Sequence, residues 1–311
     1  MARKAAPTEE LLVLLNGELI GRIQRARQGQ LRFRYEAGYL DSGPGIPLSL
    51  SMPLLEQDYG HRIIHAFLWG LLPDNEQVLQ RWAARFQVSP GNAFGLLRHV
   101  GEDCAGAVQL VSEDSLSAAG TGGRVRLTEA DIAERLGELG RDPGLTRRPQ
   151  DQGQFSLPGA QAKTALQFRG GQWYLPRGRE PTTHILKAPR PELAGDLENE
   201  HFCLTLAGAV GLPVVRSTLQ RFEDQLAIVV ERYDRHIQDR RLIRVHQEDA
   251  CQALAVHPAN KYEAEGGPGV LAIMNLLNQS SRPLEDRRRF MAALAFNYVI
   301  LGTDAHAKNY S

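Results

Sequence analysis

Leu301-Gly302-Thr303-Asp304-Ala305-His306-Ala307-Lys308-Asn309-Tyr310-Ser311 brings a carboxylate, an imidazole, an ammonium group and a carboxamide together in one short stretch. Apolar side chains recur at helical spacing through residues 290–301, just before it. This periodicity predicts a buried helix that delivers a polar loop, which is how scaffolds commonly present reactive groups. The loop is therefore the starting point for interpreting the rest of the chain.

Asp304 and Asn309 have the spacing D-x-x-x-x-N. Catalytic loops of protein kinases use this spacing, with the aspartate receiving a hydroxyl proton and the asparagine holding Mg²⁺. An isolated match of this kind is more often an ordinary solvated turn. The remaining motifs decide between these two interpretations.

The composition limits the possible classes of function. A chain of 311 residues with 36 basic and 36 acidic side chains predicts about two domains and no overall basic field for nucleic acid. Cys104, Cys203 and Cys251 have no metal-ligand spacing and are expected to be reduced core residues. The amino terminus lacks the pattern of a signal peptide and no apolar run reaches ~18 residues, so we expect a soluble cytoplasmic protein.

The first half of the chain predicts a small α/β unit. Asn16-Gly17 lies between two alternating apolar runs, which is a strong hairpin signal, and a third such run ends at Tyr35. Further along we predict helices at 61–72, 75–86, 91–99 and 128–139, a strand at 104–111, and linkers at 112–123 and 142–153. A boundary near residue 150 would give domains 1–150 and 151–311.

The second domain opens with the stretch Ser156-Leu157-Pro158-Gly159-Ala160-Gln161-Ala162-Lys163-Thr164. A glycine in such a loop lets backbone N–H groups approach an anion closely. It is not a Walker A loop, because Ala162 precedes Lys163 and a strand follows Thr164. An ordinary hairpin connection explains the loop equally well.

A strand that ends in Lys187 is followed by a helix with Glu198 and Glu200 in its first turn. In kinases the phosphate-holding lysine lies on the third strand and pairs with a glutamate of the next helix. The helix dipole explains these acids just as well. A hairpin then leads from an apolar strand to the polar residues 231–234, as in the hinge between two kinase lobes.

Together these stretches resemble the HipA family of bacterial toxin kinases. The resemblance rests on residues 156–164, Val230-Glu231-Arg232-Tyr233-Asp234, His246-Gln247-Glu248-Asp249 and residues 303–309, and in the first domain on 70–74 and 101–108. It implies an α+β, protein-kinase-like fold with a small N-terminal α/β subdomain, a kinase N-lobe sheet and a partial helical C-lobe. It also implies a serine/threonine kinase toxin of a type II toxin–antitoxin pair.

The resemblance implies roles for individual residues. Asp304 would be the catalytic base with His306 as a second catalytic residue, Asn309 would bind Mg²⁺, and Lys187 would pair with phosphates. ATP would lie between Pro158, Gly159, Ala160, Gln161, Ala162 and Lys163 on one side and Glu231 and Tyr233 at the hinge. Ser156 matches the autophosphorylated serine of the family. The expected partners are a HipB-like DNA-binding antitoxin, with DNA reached only through it, and a protein substrate such as an aminoacyl-tRNA synthetase.

One departure from the family pattern affects these expectations. The metal-binding aspartate that follows the catalytic loop in the family, and most of the helical lobe, have no counterpart before Ser311. We therefore expect the 311-residue chain alone to be weakly active or inactive, with the outer face of the helix at 284–301 bare. The alternative function is a catalytically inactive binding module that docks a DNA-binding antitoxin and modulates transcription.

Overall fold

The computed structural model describes residues 9–43, 45–117, 122–148, 151, 155–239 and 241–311. The domain boundary predicted near residue 150 and parts of both predicted linkers lie outside this described part. No helix within it is both long and apolar enough to cross a membrane.

An antiparallel sheet forms the first part of the chain. Within the described residues its strands are β1 (Glu9–Leu15), β2 (Glu18–Arg25), β3 (Leu31–Tyr35), β4 (Asp58–Tyr59) and β5 (Val108–Val111), in the order β4-β3-β2-β1-β5. The predicted hairpin is confirmed: β1 pairs with β2 across Asn16 and Gly17, both at positive φ. A positive φ at both turn residues matches the right-handed twist of the strands.

Helices pack on both faces of this sheet, and Leu116 of the last of them contacts Leu12 and Leu14 on the face opposite the main core. They are α1 (Ala37–Asp41), α2 (His61–Gly70), α3 (Glu76–Phe86), α4 (Ala93–Val100) and α5 (Glu113–Ser117). Phe33 of the sheet and Phe67 and Phe94 of the helices are buried in one core, so the apolar faces predicted from periodicity are the packed ones. Helices α1 and α5 are too short to show a period and were not predicted.

The strand predicted at 104–111 begins only at Val108. Gly106 has a φ of +76°, a conformation that interrupts an extended strand. The carbonyls of Cys104 and Gly106 accept hydrogen bonds from the guanidinium groups of Arg232 and Arg235. The residues before Val108 are therefore held as a turn by the second half of the chain.

A second antiparallel sheet follows. Its strands among the described residues are β6 (Gly123–Leu127), β7 (Lys163–Arg169), β8 (Gln172–Arg177), β9 (His184–Lys187), β10 (Ser217–Phe222) and β11 (Gln225–Glu231), in the order β10-β11-β9-β7-β8-β6. Helix α6 (Glu129–Arg141) packs Ile132 and Leu136 against Leu166 and Leu186 of this sheet. Residues 123–141 thus join the second sheet, although they precede the predicted boundary.

Helix α7 (Asp196–Ala209) lies beside β10 and β11, and a largely helical region follows β11 in the chain. This region contains β12 (Arg235–Gln238), β13 (Arg241–Arg244), α8 (Ala250–Ala253), α9 (Val270–Leu277) and α10 (Pro283–Val299). Cys251, Ile273, Phe290 and Ala307 form its small core. The hairpin of β12 and β13 was not predicted, because its polar sequence does not alternate.

Helix α10 is present where predicted, but the prediction that it is buried is wrong. Phe290 faces the core, whereas Tyr298 and Val299 are 85% and 76% exposed. No described residue covers the outer side of the helix, so several of its apolar side chains are exposed to solvent. The bare face expected from the sequence is observed.

Candidate active site

A cleft of about 390 Å³ opens between the second sheet and the helical region. Five of the six residues predicted to surround the phosphates line it, namely Pro158, Gly159, Ala160, Gln161 and Lys163. Lys187, Glu231 and Tyr233 line it as well, together with Ile185 and Val230, which give it apolar walls. Ala162 instead lines a much smaller cavity behind the glycine loop. The cleft therefore brings together parts of the chain that are far apart in sequence.

Two lysines face each other at the base of the cleft. Lys163 begins β7 and is the register partner of Lys187, which ends β9. The side chain of Lys163 is buried and donates a hydrogen bond of 2.9 Å to the carbonyl of Pro158. Burial and, second, the charge of Lys187 lower the pKa of Lys163 to about 7. Two cations held this close favour an anion between or beside them.

Lys187 is held by helix α7. Its Nζ lies 2.6 Å from Oε1 of Glu200, in an ion pair whose side chains are 19% and 30% exposed. Glu198, the other acid considered from the sequence, is exposed. Residues two apart on a helix point to different sides, so only one of the two glutamates can face Lys187. The predicted lysine–glutamate pair is thus present, with Glu200.

The glycine loop depends on a backbone conformation that side chains disfavour. Gly159 has a φ of +107°, and a Cβ there would lie 2.9 Å from Nζ of Lys163. Ser156, the predicted modification site, is fully buried and does not line the cleft. Its hydroxyl donates a hydrogen bond of 2.7 Å to the carbonyl of Leu71 in the first half of the chain.

The predicted hinge alternates between two environments. Glu231 and Tyr233 are exposed, while the side chains of Arg232 and Asp234 are buried, although all four residues line the cleft. The hydroxyl of Tyr233 is bonded to Gln247 and lies 2.7 Å from Oγ of Ser311. The hinge is therefore hydrogen-bonded directly to Ser311, the last residue of the stretch 301–311.

The stretch 303–311 reaches the cleft through Lys308 and Ser311, while Asp304, His306 and Asn309 are not among the lining residues. The side chain of Asp304 is 75% exposed, and its Oδ1 accepts a hydrogen bond of 2.8 Å from the hydroxyl of Tyr262. Nε2 of His306 lies 3.7 Å from the same oxygen, and burial lowers the pKa of this histidine. Asn309 donates from Nδ2 to the carbonyl of Asp304, which closes the loop.

Comparison with known proteins identifies the family of this chain. Residues 155–311 match the family model of the HipA-like C-terminal domain, and residues 11–111 match that of the HipA N-terminal domain. The chain belongs to the HipA family.

Two of the relatives with curated descriptions are named as kinases. The "Putative kinase Y4mE" of Sinorhizobium fredii is 39% identical over 97% of this chain and 72% of its own length. The "Serine/threonine-protein kinase toxin HipA" of Shewanella oneidensis is 29% identical over 86% of this chain and 63% of its own length. The chain thus spans about two thirds of the length of these HipA relatives.

A solved HipA structure matches the fold. It is the complex of Shewanella oneidensis HipA with HipB and operator DNA, which aligns with a TM-score of 0.80 at 26% identity, over 96% of this chain and 71% of that one. The protein-kinase-like α+β fold predicted from the sequence is confirmed.

The residues present fit a nucleotide with Mg²⁺. The lysine pair and the glycine loop suit phosphates, and the apolar walls beside Tyr233 suit a purine. Among the described residues no group of three or more His, Cys, Asp or Glu could hold a metal ion. Mg²⁺ needs fewer protein ligands, because phosphates and waters complete its shell. Asn309 suits it, since its amide nitrogen is engaged by Asp304 and its oxygen is left as an acceptor.

Three residues of the site were not predicted as site residues. Lys308 lies in the stretch 301–311 without an expected role, Tyr262 lies between α8 and α9, and Asp74 comes from the first half of the chain. The motif Pro73-Asp74 was noted among the resemblances, but a sequence pattern does not state which loops meet in space. Only long-range contacts reveal their positions.

Proposed function

We propose that this chain is the kinase component of a HipA-type toxin–antitoxin pair, which binds ATP with Mg²⁺ and transfers its γ-phosphoryl group to a serine or threonine hydroxyl. The observation that carries the proposal is the cleft in which Lys163 and Lys187 face each other beside a glycine loop. Lys187 is further paired with a helix glutamate, as the kinase mechanism requires. A plain hairpin would not place two lysines together in one cleft.

Each residue has a role in the proposed reaction. Lys163 and Lys187 hold the phosphates by charge, and the backbone around Gly159 approaches them without a side chain in between. Glu231 and Tyr233 bind the adenine end through the hinge. Asp304 accepts the proton of the substrate hydroxyl and orients it, with His306 packed at its side. Asn309 would hold Mg²⁺, which supplies charge neutralisation for the phosphates when bound.

The position of Tyr262 bears on this reaction. Its hydroxyl donates to Oδ1 of Asp304, which is the interaction expected of a substrate hydroxyl. In the proposed cycle a substrate serine or threonine displaces Tyr262 from this oxygen. Asp304 must also turn toward the cleft, since it does not line it in this conformation.

Ser156 is the proposed site of autophosphorylation. Its burial and its bond to Leu71 imply that residues 156–163 must leave their place before the hydroxyl can react. The phosphate would add about −1.5 to −2 charges beside the glycine loop. The loop would then be unable to return to its buried position, which is a route to self-inactivation.

The proposed partners follow from the family. A HipB-like antitoxin would hold the chain and connect it to operator DNA, since equal numbers of acidic and basic residues provide no overall basic field. The substrate would be a cytoplasmic protein of translation such as an aminoacyl-tRNA synthetase. The relative in the solved complex was found with HipB and operator DNA, which supports the antitoxin part of the proposal.

Calorimetry tests the proposal directly. Titration of the chain with millimolar ATP and Mg²⁺ should release heat, and Lys187→Ala should remove it. Arg177→Ala is the matched control, because Arg177 is an exposed cation of the same sheet outside the cleft. Absence of nucleotide heat from a folded wild-type chain would refute the ATP site.

The alternative function, an inactive module that docks an antitoxin, is favoured by one observation: Asp304, His306 and Asn309 do not line the cleft. A phosphoryl-transfer assay separates the two. Phosphorylation of Ser156 that Asp304→Asn abolishes would exclude the inactive module, whereas antitoxin binding without any transfer would support it.

A further inference from the structure

The segment between helices α2 and α3 donates hydrogen bonds to backbone carbonyls of the glycine loop. The N–H of Asp74 donates to the carbonyl of Gly159 at 3.2 Å, and Nδ2 of Asn75 donates to the carbonyl of Ala160 at 3.1 Å. Pro73 and Gly159 also form a parallel bridge. The first half of the chain therefore borders the proposed phosphate site.

The side chain of Asp74 reaches a second part of that site. Its Oδ1 lies 2.5 Å from Nζ of Lys308, and its Oδ2 lies 3.9 Å from Nζ of Lys261. The Lys308 side chain is only 3% exposed and that of Asp74 is 17% exposed. An ammonium group buried this deeply requires a carboxylate partner, because desolvation of an unpaired charge is costly.

Lys308 lines the cleft, whereas Asp74 does not. An ammonium group has three N–H donors, and Asp74 is the hydrogen-bond acceptor of Lys308 within the described residues. Asp74 thus binds Lys308 outside the cleft, which leaves N–H donors of Lys308 for a ligand inside the cleft. Glu200 and Asp249, in contrast, line the cleft themselves.

We propose that Asp74 is a positioning residue that holds Lys308 as a third cationic contact for the phosphate chain, beside Lys163 and Lys187. The inference rests on the proposed nucleotide site and deepens it. Lys187 is paired with Glu200 and Lys308 with Asp74, and Asp249 also lines the cleft. The first half of the chain is then a part of the nucleotide site through one carboxylate.

The test is a double-mutant cycle on ATP affinity, measured by calorimetry with Mg²⁺. Asp74→Asn should weaken ATP binding roughly tenfold, a coupling of ordinary size between neighbouring sites. Asp74→Glu should restore part of the loss, because it keeps the charge. The effect of Asp74→Asn should vanish in a Lys308→Gln background, since Asp74 acts through Lys308.

The control is Asp58→Asn, which removes an ion-paired carboxylate on the surface of the first sheet, far in sequence from the cleft residues. It should leave ATP affinity unchanged, and thermal unfolding of each variant verifies that it is folded. Equal affinities of wild type and Asp74→Asn would overturn the inference while the nucleotide site stands. An undiminished Asp74→Asn effect without Lys308 would also overturn it, by pointing to the backbone contacts alone. Failure of the wild-type chain to bind ATP would overturn both proposals.

Discussion

Lys163 connects the charge state of the cleft to pH. Because burial and the neighbouring Lys187 lower its pKa to about 7, this side chain is partly neutral at physiological pH when no anion is bound. A polyphosphate beside it would favour the ammonium form and raise the pKa again. Nucleotide binding should therefore take up a proton in the range above pH 7.

The first prediction concerns this proton. The dissociation constant for ATP should increase as pH rises from about 7 to 9, by up to roughly tenfold per pH unit, because an increasing fraction of Lys163 must first be protonated. Lys163→Arg keeps a charge throughout this range and should flatten the pH dependence. Calorimetry in two buffers of different ionisation enthalpy measures the proton uptake. A pH dependence that is equally steep in the arginine variant would assign the proton to another group.

At the level of single residues, the sequence predicted the side chains that belong to contiguous motifs. Lys187 and its helix acid follow from the order of strand and helix, and only the choice of Glu200 over Glu198 required coordinates. Lys308, Asp74 and Tyr262 become site residues through contacts between loops far apart in sequence. Local patterns carry no information on such contacts.

Helix α2 presents aromatic side chains four residues apart on one face. The rings of His61 and His65 are 4.9 Å apart, and His257 stacks on His65 at 5.2 Å. The indole N–H of Trp69 donates to Nε2 of His65. Burial lowers the pKa of both His65 and His257, with further lowering of His65 by its neighbours. The contact between α2 and residues 257–260 therefore favours neutral imidazoles.

The second prediction follows from the sign of these shifts. A histidine whose pKa is lower in the folded than in the unfolded chain binds fewer protons when folded, so its contribution is full above about pH 6.5 and is lost as pH falls. His257→Asn removes one such group and keeps an acceptor for the N–H of Ala259. The variant should lose less stability than wild type between pH 7.5 and 5.

Urea unfolding at the two pH values measures this difference. His236→Asn is the control, because His236 is exposed on β12, away from the histidine stack. If the free energy of unfolding depends on pH identically in wild type and His257→Asn, the stacked histidines do not couple stability to pH.

At the level of elements, periodicity predicted the long helices and the strands that alternate. Helices α2 and α3 and the hairpin of β1 and β2 are confirmed because their apolar faces are also their packed faces. Strand β6 was missed because in its sequence Gly-Arg-Val-Arg-Leu only Leu127 is buried. Helix α10 was predicted to be buried because it is apolar, but burial depends on what covers it.

The two halves of the molecule meet in a buried ion network. Asp103 accepts contacts from Arg232 at 3.3 Å, Arg235 at 2.7 Å and Arg244 at 3.4 Å, and Asp234 pairs with Arg232 at 2.8 Å. Burial alone would raise the pKa of Asp103, but the three guanidinium groups hold it well below the ordinary value. Since Asp103 belongs to the first half and the arginines to the second, the network joins the first sheet to the hinge.

The last prediction tests whether this network makes the two halves unfold together. Asp103→Asn would leave three buried guanidinium groups with one carboxylate, and breaking a buried ion network in this way costs about 3–5 kcal/mol. Trp69 and Trp82 report on the first half and Trp173 on the second sheet, so Trp→Phe variants allow each half to be followed by fluorescence. Both transitions should coincide in urea with Asp103 present and separate in Asp103→Asn, with the first half unfolding at a different midpoint.

Asp142→Asn removes a surface pair with Arg81 and should change stability by about 1 kcal/mol or less. Coinciding transitions in Asp103→Asn with an unchanged midpoint would mean that the apolar contacts between the halves suffice, and that the network contributes orientation rather than stability.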